Sequence, residues 1–162
     1  MELKFAVQTK IQKPVHEVFD AVYDPGKLSG YFTSGGSDGP LEEGRTVLWK
    51  FSDVGGATMS VPVKVKKMIR DRLIQFSWAA SEGSYDPKTG EVPVPGGYDT
   101  VVEISFESLG KNETLVKITE GEWRSTPGGL KGSYGNCQGW AGMSFCMKAY
   151  LEYGINLRRG AH

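Results

Sequence analysis

From Leu3 to Ile11 the residues alternate: Leu3, Phe5, Val7, Thr9 and Ile11 share one parity, while Lys4, Ala6, Gln8 and Lys10 share the other. A period of two is that of a half-buried strand. At Pro14 the period changes. Val15, Val18, Phe19 and Val22 fall at helical spacing, which predicts a short amphipathic helix to about Tyr23. Asp24 is placed to cap a second short turn that carries Leu28, Tyr31 and Phe32. Thr33 to Gly44 is rich in Gly, Ser and Asp and is expected to be a loop.

Alternation then returns. Arg45 to Phe51 places Val47, Trp49 and Phe51 on one face, and Thr58 to Ile69 sets Val61, Val63 and Val65 against Lys64 and Lys66. A tight turn through Arg70, Asp71 and Arg72 leads into Leu73 to Trp78, where Ile74, Phe76 and Trp78 share a face. Proline and glycine punctuate Ala79 to Gly97, so that stretch is expected to be a long irregular loop. Tyr98 to Glu107 carries Val102, Ile104 and Phe106 on one side, and a turn at Gly110 to Asn112 leads into Thr114 to Glu120, with Val116, Ile118 and Glu120 together. Gly121 to Gly132 is expected to be a loop, followed by a helix from about Ser133 to Arg158. On a wheel of about 100° per residue, Trp140, Ser144, Met147 and Leu151 form its apolar centre, flanked by Cys137, Met143, Tyr150 and Ile155, with Gln138, Glu152 and Asn156 opposite.

This order of elements predicts an α+β domain spanning residues 1–162, with an antiparallel sheet against a long helix. Two motifs add a resemblance. Lys13-Pro14-Val15-His16-Glu17-Val18-Phe19 followed by Asp24-Pro25-Gly26-Lys27-Leu28, and Gly139-Trp140 leading to Lys148-Ala149-Tyr150-Leu151-Glu152, resemble the START-like (SRPBCC) superfamily and, within it, the activator of heat-shock protein 90 ATPase homologue family. The resemblance implies a helix-grip fold, in which a curved sheet wraps around the long helix with an apolar cavity between them. It also implies functions in several classes: carriers of apolar compounds, cyclases and a chaperone cofactor.

Composition narrows these classes. Lys and Arg total 19, and Asp and Glu total 19, so no global field draws the chain to nucleic acid or to an anionic membrane. No apolar run could span a bilayer, and Cys137 and Cys146 lie too far apart on one helix to bridge, which points to reduced thiols and a cytoplasmic setting. With only His16 and His162, neither a metal site nor a histidine relay is expected, no cofactor is implied, and no catalytic motif is found. The basic run Lys64, Lys66, Lys67, Arg70 and Arg72 is either a solvated outer face or a docking patch for an acidic partner.

The leading expectation is a binding module for an apolar or aromatic small molecule. Its site would combine Phe32, Trp49, Phe51, Phe76, Trp78, Val102, Ile104 and Ile118 with Trp140, Met143, Ser144 and Met147. Glu120 shares the inward parity, so it is either a polar anchor in that site or a solvated strand end, with Arg124 and Tyr134 as candidate partners. The rivals are a chaperone-cofactor-like module that binds a protein partner and a cyclase-like enzyme using Glu120.

Overall fold

The computed structural model describes all 162 residues. Its elements are β1 (Leu3–Ile11), α1 (Val15–Tyr23), α2 (Pro25–Leu28), β2 (Gly36–Ser37), β3 (Thr46–Phe51), β4 (Met59–Ile69), β5 (Leu73–Glu82), β6 (Val94–Gly110), β7 (Glu113–Trp123) and α3 (Pro127–Tyr153). The strands form one sheet in the order β1-β7-β6-β5-β4-β3-β2, antiparallel throughout. Its first strand therefore returns beside its last, and α1 and α2 lie between β1 and the meander in sequence. This is the helix-grip arrangement: α3 lies across the inner face, over β1, β5 and β7.

Local chemistry sets the junctions. Asp24 accepts from the backbone N–H of Gly26 at 2.8 Å and of Lys27 at 3.2 Å, which caps α2. Between β4 and β5 the turn places Asp71 at φ 61°, a left-handed conformation that Asp tolerates better than most residues. Thr126 caps α3 by accepting from Gly129 N–H at 3.1 Å, Pro127 fills its first turn, and Gly154 at φ 67° ends it.

Four expectations need correction. The helix begins at Pro127 rather than Ser133 and stops at Tyr153 rather than Arg158, and β7 continues to Trp123 where a loop was expected. Glycines at 128, 129 and 132 looked like loop but serve close packing: a Cβ on Gly132 would overlap the Ser81 carbonyl oxygen and lie 2.9 Å from Trp123 Cζ3. The loop expected from Ala79 to Gly97 is strand at both ends, since β5 runs to Glu82 and β6 starts at Val94, with a bridge between Asp86 and Glu91 in the remainder. A register shift between Ala79 and Ser81 lets pairing continue there against Pro95. The short strand β2 also lies inside the expected loop from Thr33 to Gly44.

A second irregularity matters for the interior. Between Leu3 and Phe5 of β1, strand β7 advances three residues, from Trp123 to Glu120, leaving Gly121 and Glu122 as a bulge with Glu122 at φ 67°. Strict alternation would put Glu120 and Trp123 on opposite faces. The bulge turns both inward, and both are buried.

Two glycine substitutions separate these roles. Gly132→Ala is expected to destabilise the protein by about 1 to 3 kcal/mol, the usual penalty of overpacking. Gly139 has nothing within 4 Å of its position for a Cβ, so Gly139→Ala should stabilise it by up to about 1 kcal/mol through helix propensity. Urea denaturation midpoints of the two variants check both signs.

Candidate functional site

The inner face is built in rows. Phe76 pairs with Val102 and Val102 with Glu120, while Ile74, Ile104 and Ile118 form the next row and Trp78 pairs with Thr100 on the other side. Trp49 and Phe51 arrive from β3, Phe32 from the turn after α2, and Trp140, Met143, Ser144 and Met147 from α3. All of these side chains are buried except Trp78, which is half-buried.

Six aromatic rings meet there. Phe32 lies 5.6 Å from Trp49, 5.1 Å from Phe51 and 5.6 Å from Trp140. Phe76 is 5.3 Å from Trp49 and 5.3 Å from Trp78, and Trp78 stacks on Trp140 at 5.3 Å. These separations are those of favourable edge and offset contacts. Two surface depressions, of about 320 Å³ around Lys4, Gln75 and Glu103 and about 470 Å³ around Val15, Asp71 and Phe106, lie away from this aromatic interior.

Glu120 is fully buried, which decides against a solvated strand end. Its Oε1 accepts from Trp78 Nε1 at 2.9 Å, Thr100 Oγ1 at 2.6 Å and Asn136 Nδ2 at 3.1 Å. Its Oε2 accepts from Trp140 Nε1 at 2.9 Å and again from Asn136 at 3.2 Å. No cation is among these partners. Arg124 instead covers the Tyr98 ring at 4.3 Å, and Tyr134 is 67% exposed. Thr100 and Asn136 were not anticipated. Asn136 is one turn before Trp140 on the same helix face, a signal already available within the helix expected from Ser133.

Ser144 Oγ donates to the Trp140 carbonyl at 2.9 Å, within its own helix. Trp49 Nε1 and Trp123 Nε1 are buried donors without a partner. Burial pushes the Tyr31 hydroxyl well above its usual pKa, and this hydroxyl donates to Ala21 O at 2.9 Å. The Cys146 thiol is also pushed up, chiefly by burial, which keeps it protonated.

At the far end of the interior the chain after α3 folds back. Arg158 donates through Nε to Asp53 Oδ2 at 2.7 Å and through Nη2 to Asp53 Oδ1 at 3.0 Å. Its guanidinium lies 5.5 Å from the Phe32 ring centre and 5.2 Å from that of Phe51. Ser34 Oγ donates to Asp53 at 2.7 Å and accepts from Ser52 N–H at 2.9 Å.

Elsewhere the expected helix faces need two changes, the first being that Ile155, expected beside the apolar face, lies beyond the end of α3 and is 51% exposed. Glu152 is not on the solvent side, because its carboxylate accepts from Lys148 Nζ at 2.6 Å and from Gln12 N–H at 3.1 Å beside the end of β1. Part of the basic run is neutralised in place: Lys64 pairs with Asp99 at 2.8 Å and Arg70 with Asp20 at 2.7 Å.

This geometry, with α3 gripped by the sheet and a motif-bearing Trp140 at its centre, agrees with the family match over residues 12–152, described as Activator of Hsp90 ATPase homolog 1-like protein. The chain belongs to that family. Among solved structures, the chain is similar to the protein SSP2350 from Staphylococcus saprophyticus, at 25% identity and TM-score 0.72, covering 96% of each chain. It shares its fold with the Aha1 dimer from Colwellia psychrerythraea, at 19% identity and TM-score 0.69, over 95% of this chain and 99% of that one. CalU16 from Micromonospora echinospora has the same fold at 16% identity and TM-score 0.66, over 97% of this chain and 79% of that one. No curated protein matches the sequence. No helix is long and apolar enough to cross a membrane.

Glu120→Gln replaces an acceptor pair by one acceptor and one donor that faces indole and amide N–H groups. Leaving such buried donors unmatched costs about 1 to 3 kcal/mol each, so Glu120→Gln should destabilise the protein by more than about 2 kcal/mol in equilibrium denaturation.

At Asp53, burial acts to raise the carboxyl pKa, but hydrogen bonds from Arg158 and Ser34 and the charge of Arg158 outweigh it, so the net shift is downward. A lowered carboxyl pKa contributes stability that is complete above the unfolded value of about 3.9 and lost as pH falls through the folded value. Denaturation midpoints measured from pH 6 down through this acid range should fall less steeply in Asp53→Asn than in the parent.

Proposed function

We propose that the chain binds a flat apolar or aromatic small molecule between the inner face of the sheet and α3. The observation that carries this reading is Trp49 Nε1, a fully buried indole donor with no partner among rings whose other polar neighbour, Glu120, is matched by four side-chain donors. An unmatched buried donor costs about 1 to 3 kcal/mol, and a ligand oxygen would remove that penalty. Aromatic faces with few polar groups suit a compound of this class over a charged metabolite.

The arrangement argues against Glu120 as a catalytic base in this structure. Its oxygens already receive hydrogen bonds from two indoles, a hydroxyl and an amide, and none of these is an acid–base partner. A second reading, a protein-interaction module, is favoured by the family's description and by Phe145 on the outer face of α3, which is 62% exposed.

Titration with an environment-sensitive hydrophobic fluorophore tests the first reading. Ser144 is buried beside Trp140, so Ser144→Leu is expected to weaken probe affinity by about tenfold, equivalent to about 1.4 kcal/mol. Equal affinity in two folded proteins would put the site elsewhere. Absence of saturable binding would favour the interaction module.

A further inference from the structure

Phe32 differs from the other five rings of the interior in how it is held. Trp49, Phe51, Phe76 and Trp78 sit on strands and Trp140 on α3, where backbone ladders fix them, whereas Phe32 belongs to the turn between α2 and β2. Its ring fills a slot between Trp49, Phe51 and Trp140, and it stands at 85° to Trp49. Rotation about the side-chain bonds would clear that slot without breaking the bond from Phe32 N–H to Leu28 O at 2.9 Å.

What keeps the ring in place from outside is Arg158. Its guanidinium covers Phe32 and Phe51 and is fixed by both oxygens of Asp53. Ser34, two residues after Phe32, binds the same carboxylate. Three separate pieces of chain thus meet at one ion pair: the Phe32 turn, the segment between β3 and β4, and the segment following α3. The Arg158 and Asp53 side chains are 12% and 27% exposed, and only side-chain contacts hold the pair, so the latch can open while the sheet and α3 remain intact.

We propose that Phe32 and the Arg158–Asp53 pair form a gate, in which the phenyl ring occupies the position of a ligand ring and yields to a flat aromatic compound bearing a carbonyl, ether or phenol oxygen. That oxygen accepts the hydrogen bond from Trp49 Nε1, which can only donate. The proposal rests on the small-molecule reading above and adds to it the entry point, the ring displaced and the acceptor that the ligand must carry. With the gate closed, apparent affinity is reduced by the fraction of molecules that are open, so loosening the latch should strengthen binding.

The test uses the full chain and two fluorescent probes: 6-propionyl-2-dimethylaminonaphthalene, which has a ketone, and 2-dimethylaminonaphthalene, which lacks it. Stopped-flow association and equilibrium titration are measured for the parent, Arg158→Gln, Asp53→Asn, Phe32→Ala and Trp49→Phe. Both latch variants should raise the association rate and affinity for the ketone by about tenfold, in proportion to the open fraction. Phe32→Ala should do so at least as strongly. If it fails to fold, the latch variants decide, since they leave the interior rings unchanged. Trp49→Phe should weaken the ketone by about tenfold, as loss of one buried hydrogen bond does, and leave the carbonyl-free probe unaffected. Saturable binding in the parent with unchanged rate and affinity in both latch variants would overturn the gate and leave the small-molecule reading standing. Equal losses for both probes in Trp49→Phe would overturn the assigned acceptor. No saturable binding in any variant, including those with the gate loosened, would overturn the small-molecule reading and the gate with it.

Discussion

A carboxylate shut inside an apolar interior must find donors there, because the water it gives up is worth many kilocalories per mole in solvation. Glu120 meets that requirement with neutral groups alone: two indole N–H donors, a threonine hydroxyl and an asparagine amide. These donors come from β5, β6 and α3, so one side chain on β7 ties three other elements together. The rest of the structure is consistent with that demand. Strand register sets Trp78 beside Thr100 and Thr100 one inward position from the partner of Glu120. The bulge after Glu120 then brings Trp123 inward too, where it meets the glycine-lined side of α3. Larger residues at Gly129 or Gly132 would push the helix away and stretch the Asn136 and Trp140 bonds.

The same hub limits the chemistry of the interior. A carboxylate that accepts from four side chains has little acceptor capacity left for substrate, and the half-buried Cys146 thiol is kept protonated. On the small-molecule reading proposed above, recognition falls to ring faces and to the few donors left over. Trp49 Nε1 is one such donor within the ring cluster, and Trp123 Nε1 lies towards the start of α3. On that reading, such an interior would discriminate by flatness and by the position of an acceptor atom, not by charge.

Periodicity made the frame legible. The bounds of β1 and α1, the Asp24 cap, the inward parity of the β3, β5, β6 and β7 residues and the Trp140, Ser144, Met147 face of the helix all follow from spacings of two or 3.6 residues. The family resemblance supplied the handling of those elements as a helix grip. What local pattern could not supply was anything set by a neighbour distant in sequence. Glycine and proline after Ala79 and Gly121 read as breakers, although bulged pairing and close helix packing can use both. Thr126 followed by Pro127 was a usable helix-start signal, masked by the glycines behind it. Glu120 could not be assigned to interior or solvent because its donors lie on other strands and on α3. The pair Asp53 and Arg158, 105 residues apart, had no local signature at all.

The two ends of α3 are held by different physics, and this difference determines where the interior can yield. Its N-terminal half presses backbone against backbone: glycines at 129 and 132 lie over the carbonyls of Arg124 and Ser81, and a threonine cap fixes the first turn. Movement there would disturb the helix cap, the β5 end and the Glu120 hub together. Beyond Gly154 the regular hydrogen-bond ladder stops, and Arg158 secures the chain to Asp53 and the Phe32 ring through side chains. Side-chain latches open at far lower cost than a helix leaves a sheet. The interior is thus anchored at the Asn136 end by backbone packing and at the Phe32 end by side-chain contacts alone, so under the proposed gate a ligand entering at Phe32 would reach Trp49 before it could disturb Glu120.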